Sequence, residues 1–284
     1  MPPVKLKLGI IGYPLEHTLS PIMHTAALQH LNINGEYKAY EIKEEELEKR
    51  ISEFKKQNFK GLNVTIPYKK KIIPFLDEMS DNAKLSGAVN TITFLEGGKL
   101  RGNNTDVTGF WESIPEQIRK NLTGKKITVL GCGGSSDAVV TAILNNASPG
   151  EIVICGRDKN KLSLKKPHQN VSISLIRDVD LSTADVLINT TPVGMSPNIN
   201  NSPVSIDQLK KMPEGSLVYD IIYNPSETKL LKDAKSLGLN ALNGVEMLVR
   251  QGAASLNIWL DKNVAPVQIM RDAVMDSLEL SGKK

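Results

Sequence analysis

The chain has 284 residues, 40% hydrophobic and 23% charged, a globular composition long enough for two domains of ordinary size. Its 35 basic and 31 acidic residues leave a net charge of +4 spread along the chain, which argues against a nucleic-acid partner because no basic stripe forms. No apolar run approaches the ~18 residues that a membrane span requires, and "MPPVKLKLGIIGYPLEH" lacks the long apolar core and cleavage site of a signal peptide.

In chain order, "KLGIIG" (7–12) is a short apolar run closed by glycine, the pattern of a buried parallel strand. A loop follows, and Ser20-Pro21 opens a helix with Ser20 as N-cap and Ile22, Ala26, Leu28 and Leu31 on its apolar side. "GEYKAYEI" is a second strand. Residues 44–58 form an amphipathic helix with Leu47, Ile51 and Phe54 on one face. "KGLNVTI" is a third strand, stopped by Pro67, which has no N–H to give to a ladder. Helices are expected over 70–78 and 81–87. "AVNTITFLEGGKLRGNNTD" reads as a hairpin turning at Gly97-Gly98. The first ~105 residues therefore suggest a mixed sheet with helices on its faces.

A helix over 107–122 links to a second α/β unit. "KKITVLGCGGSSDAVVTAIL" reads as strand, glycine turn and helix. "EIVICGRD" is the next strand, 159–164 a short helix, and "VSISLI", "ADVLINTTPVGM" and "GSLVYDIIYNP" are three more strands. "TKLLKDAKSLG" is a helix, "LNALNG" a short strand and turn, and 244–260 and 266–280 the last two helices. Cys132 and Cys155 have neither metal-ligand spacing nor a disulfide framework, so a reducing cytoplasm is the expected compartment. No His/Cys/Asp cluster suggests a metal.

The glycine turn carries chemistry. Gly131 supplies the tight turn, Gly133 lets the backbone approach a pyrophosphate, and Gly134 or Ser135 leads into a helix N-terminus whose N–H groups and dipole suit phosphate. An apolar strand precedes it, a helix follows, and a second strand comes about 20 residues on, the context such a turn needs. At the tip of that second strand stands Gly156-Arg157-Asp158-Lys159, with Lys161 close behind. Arg157 can fork onto a 2′-phosphate and the lysines add charge, which favours NADP; Asp158 is the acid an NAD site would use. Asp137, in the first turn after the glycines, suits the dipole but would repel a pyrophosphate unless turned away.

Lys69 leaves the sheet at the carboxyl end of a strand, where α/β proteins collect ligands. A lysine there can exchange a proton during carbonyl reduction, provided a group holds it. Asp106, ending "GNNTD", is a candidate, although spacing does not bring the two together and, on the residues alone, a loop or N-cap role suits it better. Lys70 and Lys71 read as solvated charge.

At this point the motifs acquire a likeness. "HTLSP" (17–21), "NVTIPYK" (63–69), "GAVNT" (87–91), "GNNTD" (102–106), "GCGGSS" (131–136), "NTTPVGM" (189–195), "DIIYNPSET" (220–228) and "NGVEMLVRQGA" (243–253) run in the order in which they occur in the shikimate dehydrogenase family, which the chain resembles along nearly its whole length. The resemblance implies an NADP-dependent oxidoreductase interconverting 3-dehydroshikimate and shikimate in aromatic amino-acid and chorismate biosynthesis. It implies Lys69 and Asp106 as the catalytic pair. Thr18 and Ser20 would bind the substrate carboxylate, and Thr65, Asn90, Asp106 and Gln251 the ring hydroxyls. Gly131, Cys132, Gly133, Gly134 and Ser135 would cradle the pyrophosphate, with Thr190 nearby. Gly156, Arg157, Asp158 and Lys161 would take the adenosine phosphate, and Asp81, Ile221, Tyr223 and Gly244 the nicotinamide side.

The implied fold is two α/β domains. The first is a substrate domain with a mostly parallel mixed sheet (1–106, completed by 245–284); the second is a Rossmann-like NADP domain (107–244). The C-terminal helices return to the first domain, and the active site lies in the cleft between. The implied partner is a small molecule, with no nucleic acid and no membrane; monomer and homodimer both stay open. Departures from the family pattern are Thr18 where serine is usual, Ser136-Asp137 where a small or basic residue is common, and Gly156 in place of a frequent asparagine. Rival readings are a quinate/shikimate paralogue using NAD or NADP, and a non-catalytic nucleotide sensor. A sensor would have no need for both Lys69 and Asp106.

Overall fold

The computed structural model describes residues 5–163 and 168–282. The chain divides into two compact units, one of Met1–Gly109 with Val249–Lys284, the other of Phe110–Leu248. No helix among the described residues is long and apolar enough to cross a membrane.

The first unit begins with β1 (Leu6–Gly12), α1 (Ser20–His30), β2 (Gly35–Glu41), α2 (Leu47–Lys56), β3 (Gly61–Val64), β4 (Glu78–Met79), α3 (Asp81–Ser86), β5 (Thr91–Phe94), β6 (Leu100–Asn103) and α4 (Thr105–Ser113). Among the described residues its sheet runs β2-β1-β3-β5-β6-β4. β1 pairs in parallel with β2 and β3, while β3–β5 and β5–β6 are antiparallel and β4–β6 parallel. The sheet is thus mixed, as the hairpin after an alternating β/α run requires. Leu47, Ile51 and Phe54 of α2 are buried against Ile11, Leu62, Val64 and Tyr68, the stripe that their spacing predicts.

The second unit holds α5 (Glu116–Lys120), β7 (Lys126–Leu130), α6 (Gly134–Asn146), β8 (Glu151–Gly156), α7 (Lys159–Ser163), β9 (Val171–Leu175), β10 (Val186–Asn189), α8 (Ile206–Leu209), β11 (Leu217–Asp220), α9 (Lys229–Ser236) and β12 (Asn240–Leu242). Its sheet runs β12-β11-β10-β7-β8-β9, and every described pairing is parallel. β7, β10 and β11 are almost wholly buried and read as continuous apolar runs, because a parallel sheet is covered on both faces. Counted within the unit, the order is 6-5-4-1-2-3, the doubly wound dinucleotide arrangement, with its direction reversing between β7 and β10.

The chain ends in α10 (Val245–Leu260) and α11 (Val267–Gly282). From Val249 onward these residues belong to the first unit: α11 lies along α1, and Trp259 of α10 donates its indole N–H to the Ile92 carbonyl at 2.9 Å.

Four local expectations need correction. Ser20 is not an N-cap: Leu19 already has helical angles, so Ser20 is the first helical residue, buried, with Pro21 behind it. On the same helix the buried side is Met23, His24, Ala27 and Leu28, while Ile22 is exposed. The helix expected over 70–78 is a single 3-10 turn at Ile73–Phe75 followed by β4, since Pro74 has no N–H for the Lys70 carbonyl and so interrupts a helix begun at 70. The helix expected over 107–122 is two, α4 and α5, parted at Pro115. α8, which the sequence reading missed, is one turn held by a Ser205–Gln208 capping box.

Gly61 explains how α10 closes on the sheet: a Cβ there would stand 1.9 Å from Trp259 Nε1. Gly61→Ala is therefore expected to lower stability by about 3 kcal/mol in urea unfolding, the upper range for overpacking a core. Unchanged stability would show that the indole does not occupy this space.

Candidate active site

β3 ends at Val64, and a turn closed by the Tyr68 N–H on the Thr65 carbonyl carries the chain out of the sheet. Tyr68 anchors this turn: its ring is buried and its hydroxyl donates to the Ile42 carbonyl. The Val89 N–H then donates to the Lys69 carbonyl at 2.7 Å, so the backbone of Lys69 is fixed on both sides. Lys71 turns outward to pair with Glu44, and Lys70 is exposed.

Lys69 Nζ lies 2.6 Å from Asp106 Oδ2, with the two side chains only 14% and 7% exposed. Asp106 sits in the first turn of α4, where the helix dipole favours a negative charge. Its second oxygen accepts from Asn90 Nδ2 at 2.8 Å, and its N–H donates to Asn104 Oδ1. The same Asn90 amide reaches Gln251 Oε1 at 3.3 Å. Four of the predicted residues, from distant stretches of chain, thus form one connected set within the first unit.

Thr65 follows the last residue of β3. Its methyl abuts Gly12, where β1 releases the loop that carries Thr18 and Ser20; a Cβ on Gly12 would be 2.5 Å from it. Thr18 Oγ1 accepts from the Ser20 N–H at 3.4 Å, so the added methyl leaves the hydroxyl engaged at the entry to α1. Asp81 opens α3, capped by Ser80, and is exposed. His17 is exposed; His24 is fully buried, stacked on Tyr37, and burial pushes its imidazole down to about 3.

In the second unit the glycine turn follows β7 at the switch in strand order. Gly131 has φ +114, and a Cβ there would stand 2.3 Å from Thr190 Oγ1, which itself donates to the Leu130 carbonyl. Nothing lies within 4 Å of the position a Gly133 Cβ would take, and Gly133 is the N-cap of α6. Open space therefore faces the start of a helix, which fits a pyrophosphate. Cys132 Sγ would be 3.2 Å from a Cβ on Gly156, so the β7 and β8 tips adjoin. Cys155 is inert by comparison, its thiol pushed up to about 12 by burial.

Asp158 Oδ1 accepts from the backbone N–H groups of Asn160 and Lys161, capping α7. That leaves Arg157, Lys159 and Lys161 as exposed charge at the tip of β8. Ile221 and Gly244 meet closely, since a Gly244 Cβ would be 1.9 Å from the Ile221 carbonyl oxygen; Tyr223 lies half-buried in the same loop.

The sequence reading overlooked what holds that loop. Asp220 is fully buried and accepts from Asn189 Nδ2, Thr228 Oγ1 and the Ile222 N–H. An acid ending an otherwise apolar strand, "LVYD", was the available signal. Among the described residues no group of three His, Cys, Asp or Glu side chains is placed to hold a metal ion.

A fully parallel, doubly wound sheet with a glycine turn at its switch point, together with a buried lysine–carboxylate pair, describes the class of dinucleotide-dependent oxidoreductases. Comparison with known proteins narrows that class. Residues 10–92 match the family model of the shikimate dehydrogenase substrate-binding domain, and residues 244–275 that of the shikimate 5′-dehydrogenase C-terminal domain. A shikimate dehydrogenase (NADP(+)) of Synechocystis is 40% identical, with 96% of each chain covered. One of Carboxydothermus hydrogenoformans is 42% identical over 94% of this chain and 95% of its own. The shikimate 5-dehydrogenase of Thermus thermophilus, solved in complex with NADP(H) and shikimate, superposes with a TM-score of 0.84 at 31% identity, covering 96% of this chain and 100% of that one. The chain belongs to the shikimate dehydrogenase family.

Burial pushes the Asp220 carboxyl up from 3.8 to about 6, against the three hydrogen bonds that favour its ionised form. A folded-state value above the unfolded one means that stability is full below 3.8 and falls as pH rises through 6. The stability difference between the wild type and Asp220→Asn should therefore shift against the wild type by up to about 3 kcal/mol between about pH 4 and pH 7 in urea titrations. A difference independent of pH would contradict the burial argument.

Proposed function

We propose that this protein catalyses the reversible, NADP-dependent reduction of 3-dehydroshikimate to shikimate, within the biosynthesis of aromatic amino acids and chorismate, in the cytoplasm. The observation that carries the reading is the buried Lys69–Asp106 pair at 2.6 Å, held by Asn90, whose amide also reaches Gln251. The activity of the relatives points the same way. The first unit binds the substrate and the second the cofactor.

Reducing a ketone takes a hydride to carbon and a proton to oxygen. NADPH bound at the glycine turn supplies the hydride. Lys69, as the ammonium, donates its proton to the ring oxygen as negative charge builds there, and takes it back in the oxidative direction. Asp106 holds that ammonium in place, its Oδ2 standing 2.6 Å from Nζ. Thr65, Asn90, Asp106 and Gln251 offer the hydroxyl, amide and carboxylate groups that a polyhydroxylated ring needs, and Thr18 and Ser20 meet its carboxylate. A site built on such partners rejects an analogue that leaves them unpaired.

Gly131, Cys132, Gly133, Gly134 and Ser135 hold the pyrophosphate, with Thr190 fixing the turn. Arg157 forks onto the 2′-phosphate, with Lys161 adding charge. The exposed basic side chains of Arg157, Lys159 and Lys161 at the tip of β8 support NADP over NAD. Ile221, Tyr223 and Gly244, with Asp81, line the nicotinamide side.

Steady-state oxidation of shikimate and of quinate, each with NADP and with NAD, tests the reading. Turnover should be fastest with shikimate and NADP, and no turnover of any pair would overturn the enzyme assignment. Lys69→Ala should lower kcat by at least about a hundredfold with little change in KM. Arg157→Ala should raise KM for NADP about tenfold and leave that for NAD nearly unchanged, because only NADP carries the phosphate. Equal effects on both cofactors would remove Arg157 from the 2′-phosphate site.

A further inference from the structure

Behind Asn90 lies a buried cluster of hydroxyl and amide groups to which no role has been assigned. It joins four elements of the first unit: Asn63 on β3, Thr91 on β5, Thr105 at the start of α4 and Ser255 on α10. Each is at most 4% exposed, and Thr91 and Ser255 are completely enclosed. Asn63 Nδ2 reaches Thr91 Oγ1 at 3.1 Å and Ser255 Oγ at 2.9 Å, while its Oδ1 accepts from the Tyr37 hydroxyl at 2.7 Å. Thr91 Oγ1 lies 2.8 Å from Ser255 Oγ and 3.0 Å from Asn90 Oδ1. Thr105 Oγ1 lies 3.0 Å from Ser255 Oγ.

Counting protons fixes the direction of this cluster. Asn90 Oδ1 accepts from the backbone N–H of Thr105 at 2.7 Å, a donor that cannot reverse. Oδ1 must therefore face the cluster, and Nδ2 must face Asp106. Asn63 Nδ2 donates to Thr91 Oγ1, so the Thr91 hydroxyl has its own proton to give to Asn90 Oδ1. Ser255 accepts from Asn63 and donates to the Gln251 carbonyl one helical turn back. The chain of donors thus runs Asn63 to Thr91 to Asn90 to Asp106, where it meets the Lys69 ammonium coming from the other side.

We propose that Thr91 and Ser255 are positioning residues for the Lys69–Asp106 pair, acting through the Asn90 carboxamide. The proposal rests on the reading of that pair as the catalytic acid/base. Removing the Thr91 hydroxyl takes one of the three donors from Asn90 Oδ1 and one acceptor from Asn63 Nδ2, which is left with Ser255 Oγ and the Asn90 carbonyl. A buried network whose members polarise one another settles into new geometry when one of them is lost. The Asn90 amide then tilts, Asp106 loses its anchor on Oδ1, and the ammonium it aims is displaced. Displacements of about 1 Å at a reacting group lower rates by up to about a hundredfold.

The test compares Thr91→Val, which keeps the shape and removes the hydroxyl, with Thr91→Ser, which keeps the hydroxyl, and with Ser255→Ala. Shikimate oxidation, NADPH affinity by fluorescence and thermal midpoint are measured for each. Thr91→Val is expected to lower kcat about tenfold with NADPH affinity unchanged, and Thr91→Ser to restore kcat to within about twofold of wild type. In a Lys69→Ala background Thr91→Val should have almost no further effect on residual turnover, because residues that act as one unit are not additive. A lower thermal midpoint with kcat within about twofold of wild type, or a full independent loss in the Lys69→Ala background, would make the cluster purely structural and overturn the proposal. If Thr91→Val does not fold, Ser255→Ala is judged by the same readouts. If Lys69→Ala itself keeps wild-type kcat, the acid/base reading fails instead, which separates the two failures.

Discussion

A carboxylate taken out of water must have its oxygens met by donors, and how Asp106 satisfies this sets most of the first unit's arrangement. Lys69 takes one oxygen and Asn90 the other. Lys69 can reach only because Tyr68 and Val89 pin the turn after β3. Asn90 can offer its amide only because the Thr105 N–H holds the opposite end. An unpaired buried charge would be strongly destabilising, so these contacts stand or fall together. The strand ends, the hairpin and the start of α4 are all placed by the same demand.

The second unit meets a different demand, that of bringing a backbone close to a bulky anion. A parallel sheet whose order reverses between β7 and β10 parts the chain at their carboxyl ends. Gly131 takes up a positive φ there against Thr190, and Gly133 leaves the space in front of α6 clear. Beneath this turn the buried Asp220 ties β11 to Asn189 of β10 and to Thr228, so the loop bearing Ile221 and Tyr223 is anchored from within the sheet. Its carboxyl bears a desolvation penalty that a surface loop would escape.

The parts of this architecture that rest on local pattern could be read from the sequence. Apolar runs closed by glycine marked the parallel strands, Gly97-Gly98 marked the hairpin, and the glycine turn stood out by its strand-and-helix context. Punctuation by proline was read at Pro67 but not at Pro74 or Pro115, and each omission lengthened a helix. Ser20 misled because its residue type suits a cap while the chain had already turned helical at Leu19. The capping of α7 by Asp158 could not be told from its residue type alone. The pairing of Lys69 with Asp106, 37 residues apart, and of Asn63 with Ser255, 192 apart, has no local signature. Only the topology of the sheet and the return of α10 bring them together.

That return has a consequence for the newborn chain. The floor of β3 is finished by Trp259, whose indole fills the space left by the missing side chain of Gly61. The first unit thus needs two stretches that lie far apart in the chain, whereas Phe110–Leu248 is complete in one stretch. On the ribosome the nucleotide-type unit can close while the earlier segment still waits, its sheet formed in part and its apolar face uncovered. Helices α10 and α11 act as a latch, so the sheet that carries Lys69 is covered only once the residues from Val249 onward have been made.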